Sequence, residues 1–138
     1  MGKLLSNLFR ITSIVIFVQL LLGGLLTFSF ITPGVHIIVG FIVFALALAT
    51  MIVALRSNVV QERVLKLMSI GLVTLMVVQI ILGFETLDSG NQVLAWIHFT
   101  IALGIYGMSA AGSVMSSFLG RMTGFGSQTN ASEVKSRS

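Results

Sequence analysis

The chain holds two His residues, four acids and no Cys, so any soft metal-ligating chemistry falls to His36 and His98 alone. Neither stands at random. Val18-Gln-Leu-Leu-Leu-Gly-Gly24 and Val78-Gln-Ile-Ile-Leu-Gly-Phe84 repeat one another at a period of about 60 residues. Each copy is followed by a hydroxyl residue (Thr27, Thr86), a Gly-containing turn and a His. His36 lies 17 residues after Gln19, and His98 lies 19 residues after Gln79. The extra two residues fall in the turn, where insertions are tolerated. Paired imidazoles are axial ligands for heme iron, and two of them at one depth on facing helices would form a bis-His site.

The elements that must position this pair are spelled out by composition. Mean hydropathy is +1.06, 56% of residues are apolar and 9% are charged, against about 25% charged in soluble domains. Four apolar runs emerge, each of the ~20 residues that one helix needs to cross a bilayer. They cover 11–31, 35–55, 64–84 and 92–114. The first is too long for a signal-peptide apolar region and reads as a retained helix. Thr32-Pro33-Gly34 makes one turn, Arg56 to Arg63 a polar connector, and Glu85 to Asn91 a loop rich in turn formers. The fold class expected is all-α integral membrane, a four-transmembrane-helix bundle built from two parallel helical-hairpin repeats over residues 1–119. Residues 120–138, rich in Gly, Ser and Thr, are expected to form a disordered cytoplasmic tail.

Net charge of +4 raises nucleic acid as a partner, but the charges sit between apolar runs and the bilayer explains them. All eight basic residues fall at the N-terminus, in the second connector or in the tail, whereas Glu85 and Asp88 mark the third connector. The positive-inside rule then puts both termini in the cytoplasm and the His pair near the outer face of the cell membrane. Both hairpins start from the same side, which makes them parallel repeats about an axis along the membrane normal. Bundle cores are where cofactor sites of this kind are built.

One turn beyond each His is a small residue, Gly40 after His36 and Ala102 after His98, leaving room for a flat macrocycle. Phe41, Trp96 and Phe99 are expected to flank it. Gln19 and Gln79 carry two readings. They are interhelical hydrogen-bonding residues, with Gly23 and Gly83 four residues on for close helix contact, or they are partners to the His rings or a heme propionate. Gly104, Gly107 and Ala111 form a small-residue packing stripe, within the bundle or against another subunit. The seven Met read as gap-filling apolar residues. No hydrolase constellation, phosphate-binding loop, zinc site or dimetal carboxylate site can be assembled from these residues.

The Gln-x-x-Leu-Gly run, short turn and helix-opening His, present in both hairpins over about residues 11 to 115, resemble the heme A synthase family. Its members are usually two fused four-helix halves with paired heme-ligating His, so the resemblance makes this chain look like one half. It puts His36 and His98 at the ligand positions. The family's substrate half carries a Glu four residues before the first His, where this chain has Thr32, and the Cys pair of some members is missing. The expectation is therefore a membrane b-type heme protein, for electron transfer or as the heme-bearing subunit of a respiratory or oxygenase complex, paired with other membrane subunits or a second copy. The alternatives are a half-size heme A synthase oxidising a heme methyl group and a cofactor-free accessory subunit; another planar cofactor, such as a quinone, also suits the space.

The orientation is checked by labelling, since the native chain lacks Cys. A membrane-impermeant maleimide should modify Ser89→Cys in intact cells and Ser132→Cys only after permeabilisation.

Overall fold

In the computed structural model, backbone is described for residues 2–56 and 63–136, and side chains for 3–56 and 63–119. Four helices account for nearly all of it: α1 (Gly2–Thr27), α2 (Pro33–Leu55), α3 (Arg63–Ser89) and α4 (Gln92–Ser136). Each contains a stretch long and apolar enough to cross a bilayer, and the chain is a four-span helical membrane protein. Even the shortest, α2 with 23 residues, reaches about 35 Å at ~1.5 Å per residue, more than the ~30 Å hydrocarbon core. Helices suit this medium because every backbone group pairs within its own segment.

α1 packs against α2 and α4, and α3 packs against the same two. The section is thus a square, with α1 facing α3 and α2 facing α4 across the diagonals. The second expected span begins within two residues of its place, but four boundaries of the other three spans differ. α1 starts at Gly2 and ends at Thr27 rather than covering 11–31. Its early turns are helical because Leu5 and Phe9 are buried against the bundle. It stops where Ser29 adopts φ 61, with Ser29 N–H bonded to the Leu26 carbonyl and Phe30 N–H to that of Leu25. Those two bonds form a Schellman closure, in which Gly is the usual left-handed residue.

The expected loop from Glu85 to Asn91 is mostly helix, because α3 runs on to Ser89. Only Gly90 (φ 63) and Asn91 make the turn. Asn91 Oδ1 accepts the Val93 N–H at 2.9 Å and caps α4. At the far end, the apolar span of α4 continues to Leu119 rather than 114, and its backbone stays helical to Ser136. Extending an existing helix needs no new nucleus, so residues of weak packing potential can still prolong it.

The 60-residue repeat runs the whole length of the hairpins. Leu5, Phe9, Thr12, Ile16 and Gln19 face inward on α1 at the register of Leu65, Ser69, Leu72, Met76 and Gln79 on α3. On α2 and α4, offset by 62, Val43, Ala47, Thr50 and Ala54 match Ile105, Ser109, Gly112 and Ser116. All but Gln19, which is half-buried, are buried. The fully buried apolar residues stop at Ile16, Val43, Met76 and Ile105. Beyond that level lies the half of the bundle that contains both His.

The two α-to-α seams are related by the repeat but not filled alike. Phe9, fully buried on α1, lies so close to Gly112 of α4 that a Cβ there would come within 2.6 Å of its ring. The matched positions on the other seam hold Ser69 and Thr50. Hydroxyls bind α1 to its neighbours: Ser6 to Ser117 at 2.7 Å, Ser13 to Ser109 at 3.0 Å, and Thr12 to Thr50 at 3.2 Å. Such bonds suit a bilayer, where apolar surface gives helices no reason of its own to associate.

Gly112→Ala should therefore destabilise the bundle by about 1–3 kcal/mol through overpacking, read as a lower unfolding temperature in detergent. Phe9→Leu in the same chain should restore most of the loss.

Candidate functional site

His36 and His98 approach from opposite corners of the square. His36 is in the first turn and a half of α2, which Thr32 opens at the N-cap and Pro33 begins. Proline is at home there because the first helical N–H has no intrahelical partner. His98 enters deeper into its own helix, seven residues after the Asn91 cap. The longer α3 compensates, and the two imidazole centroids stand 6.4 Å apart with planes inclined at 58°.

Each His is seated by the helix before it. Gln19 of α1 donates from Nε2 to the His36 carbonyl at 2.8 Å, and Gln79 of α3 donates to the His98 carbonyl at 2.6 Å. Four residues along, Gly23 and Gly83 present bare backbone to the rings. A Cβ at Gly23 would lie 3.3 Å from His36 Cε1, and one at Gly83 would lie 3.2 Å from His98 Cε1. The repeated Gln-x-x-Leu-Gly is thus one device used twice: the amide fixes the backbone and the glycine admits the imidazole.

Five buried side-chain atoms lack a hydrogen-bond partner among the described residues, and all five are here: Gln19 Oε1, Gln79 Oε1, Thr86 Oγ1, His36 Nδ1 and His98 Nδ1. Orphaned polar atoms are costly in a protein interior and more so within a bilayer. Two of the five are imidazole nitrogens able to bind a metal.

The donor set decides which kind of metal group would suit. Among the described residues no three His, Cys, Asp or Glu converge. A bare transition ion normally takes three or four protein ligands, so two imidazoles suit an ion that brings its equatorial ligands with it, as in a heme. The ring centroids stand 6.4 Å apart, with Cε1 and Nδ1 of each ring turned to the glycine of the preceding helix and His36 Nε2 to Gln19, so a metal shared between them requires the rings to rotate.

Other expected residues fall elsewhere. The room left by Gly40 is taken by Gln19, whose Nε2 would be 3.1 Å from a Cβ there, so it is not free for a macrocycle. Ala102 is half-buried at the matched register. Phe41, Trp96 and Phe99 are exposed and turn away from the space between the His, Trp96 and Phe99 packing edge to face at 6.3 Å. A residue one position from an inward one is rotated ~100° around the helix, which carries Phe41 and Phe99 off the His face. Gly104, Gly107 and Ala111 face outward, with open space at both glycines, so the stripe packs nothing within the bundle. Glu85 and Asp88 are exposed on the last turns of α3, and Thr32 is exposed with no side-chain cap bond.

Two features escaped the sequence reading. Gly23 and Gly83 contact the rings rather than serving helix packing alone, a role signalled by their constant spacing after Gln. Thr86, half-buried and unpaired, matches Leu26 in the repeat, while Thr27 is exposed and bonds back to the Gly23 carbonyl. No protein-family model, curated protein or solved structure matches the chain.

Gln79→Leu should cost about 0.6–1.7 kcal/mol, the range for interhelical hydrogen bonds in membranes. The check is reversible unfolding in mixed micelles, where Gln79→Glu at low pH, neutral but with a hydroxyl donor, should recover part of the loss.

Proposed function

We propose that the chain is a membrane b-type heme protein in which His36 and His98 would hold the heme iron. It would serve in electron transfer, alone or as the heme-bearing subunit of a membrane redox complex. One observation carries the reading: the chain's two imidazoles meet from diagonal helices with centroids 6.4 Å apart, each with an unpartnered Nδ1, and among the described residues no third ligand joins them. The resemblance to one half of a heme A synthase points to the same pair.

A bound heme would supply one-electron chemistry. The chain's own part is to hold two neutral imidazoles still and keep water away. The Gln19 and Gln79 bonds fix the backbone at each ligand, and Gly23 and Gly83 leave no side chain to push the rings aside. Thr32 offers only a hydroxyl where the family's substrate half has a carboxylate, which favours a resident heme over one being oxidised. The positive-inside distribution of basic residues supports placing the pair near the outer face, with both termini cytoplasmic.

Protein expressed with ample heme and purified in mild detergent should give a reduced-minus-oxidised spectrum of a low-spin b-type heme. His36→Ala and His98→Ala should each abolish that low-spin signal. Protein that purifies without heme and takes up none from added hemin would overturn the reading and leave the cofactor-free accessory subunit in its place.

A further inference from the structure

The two halves of the site are close copies, but they do not treat their imidazoles alike. Gln19 Nε2 reaches both the His36 carbonyl, at 2.8 Å, and the ring nitrogen His36 Nε2, at 3.2 Å. Gln79 Nε2 reaches only the His98 carbonyl, at 2.6 Å, and no hydrogen bond to the His98 ring is present among the described residues. The difference traces to one methyl group. Gly40 stands where Gln19 lies against α2, and a Cβ there would be 3.1 Å from the amide nitrogen and 3.9 Å from its carbon. At the matched register, 62 residues on, Ala102 carries that Cβ.

We infer that Gln19 is a positioning residue for the His36 ring, admitted to it by Gly40, and that Ala102 denies His98 the same partner. The two imidazoles are then inequivalent. His36 is restrained in its rotation by the amide at its second nitrogen, while His98 is held through its backbone alone and its ring turns more freely. The consequence for a heme rests on the function proposed above. Because the Gln19 amide donates to His36 Nε2, that nitrogen is the acceptor and the ring proton sits on Nδ1, so His36 must part from Gln19 before either nitrogen binds a metal. His98, whose ring makes no such bond among the described residues, is on this basis the readier ligand, and His36 the one that Gln19 holds back.

With two His in the chain, protein labelled with 15N-histidine in heme-free micelles shows only four ring nitrogens, and their shifts report tautomer and hydrogen bonding directly. The wild type should show one hydrogen-bonded imidazole, which Gln19→Leu reassigns to a free one. Gly40→Ala should make the two His spectra alike, and Ala102→Gly should bring the His98 ring into the bonded pattern. Gln79→Leu should leave the ring-nitrogen pattern of both His unchanged. In parallel titrations with hemin, Gly40→Ala, which frees the His36 ring, should strengthen binding, and Ala102→Gly, which offers the His98 ring an amide, should weaken it. Far-UV circular dichroism confirms that each variant keeps its helices, and Gln19→Asn, too short to reach the ring, provides a second route if Gly40→Ala misfolds. Equivalent imidazoles in the wild type, or a His36 pattern unmoved by both Gly40→Ala and Gln19→Asn, would overturn the inference. Inequivalent imidazoles in a protein that binds no hemin would uphold the inference and defeat the heme reading.

Discussion

A side-chain amide placed within a bilayer must find its partner inside the protein, because lipid offers none. Gln19 and Gln79 find theirs in the carbonyls of His36 and His98. These two bonds link each odd-numbered helix to the helix after it at a fixed height. The register of both hairpins, the depth of both imidazoles and the approach of Gly23 and Gly83 to the rings all follow from that link. Moving either helix by one residue would carry the Gln some 1.5 Å along the axis and 100° around it, breaking the bond and stranding a polar group in lipid.

The bundle divides its labour along the membrane normal. One half is packed with Leu5, Phe9, Leu65, Leu72, Val43 and Ile105, and is tied together by serine and threonine hydroxyls. The other half has no fully buried apolar side chain among the described residues; its interior belongs to Gln, Gly and His. Tight interiors resist deformation, so the packed half serves as the frame from which the four helix ends are held around the imidazoles. Short turns finish the work, with Ser29 and Gly90 both in the left-handed region to reverse the chain quickly.

Much of this was legible in the residues, for definite reasons. Apolar runs of membrane length are unmistakable when only 9% of residues are charged. Repeated Gln and His stand out against that background, and the pairing of His36 with His98 follows from repeat symmetry. What stayed hidden depends on side-chain direction. That Gly40 faces Gln19, that Phe41 and Trp96 face outward, and that Gly112 rather than Gly104 or Gly107 makes the close approach are matters of helix rotation. In a helix apolar on every side, sequence periodicity carries little rotational information. The 85–91 segment misleads for a different reason: Glu, Thr, Asp and Ser are turn formers in isolation, yet α3 carries them as its last turns until Gly90 ends it.

The fit of Phe9 against Gly112 has a meaning for how such a chain is maintained. Two hairpins this similar could in principle pair with copies of themselves. The first hairpin paired with itself would set the Phe9 ring against Thr50, which has no space for it, and the second would set Ser69 against Gly112 and leave a hole. Crowding and voids are each penalised by amounts that matter to a small bundle. The halves are fitted to each other rather than to copies of themselves, so the chain behaves as a heterodimer of two unlike hairpins joined by one connector.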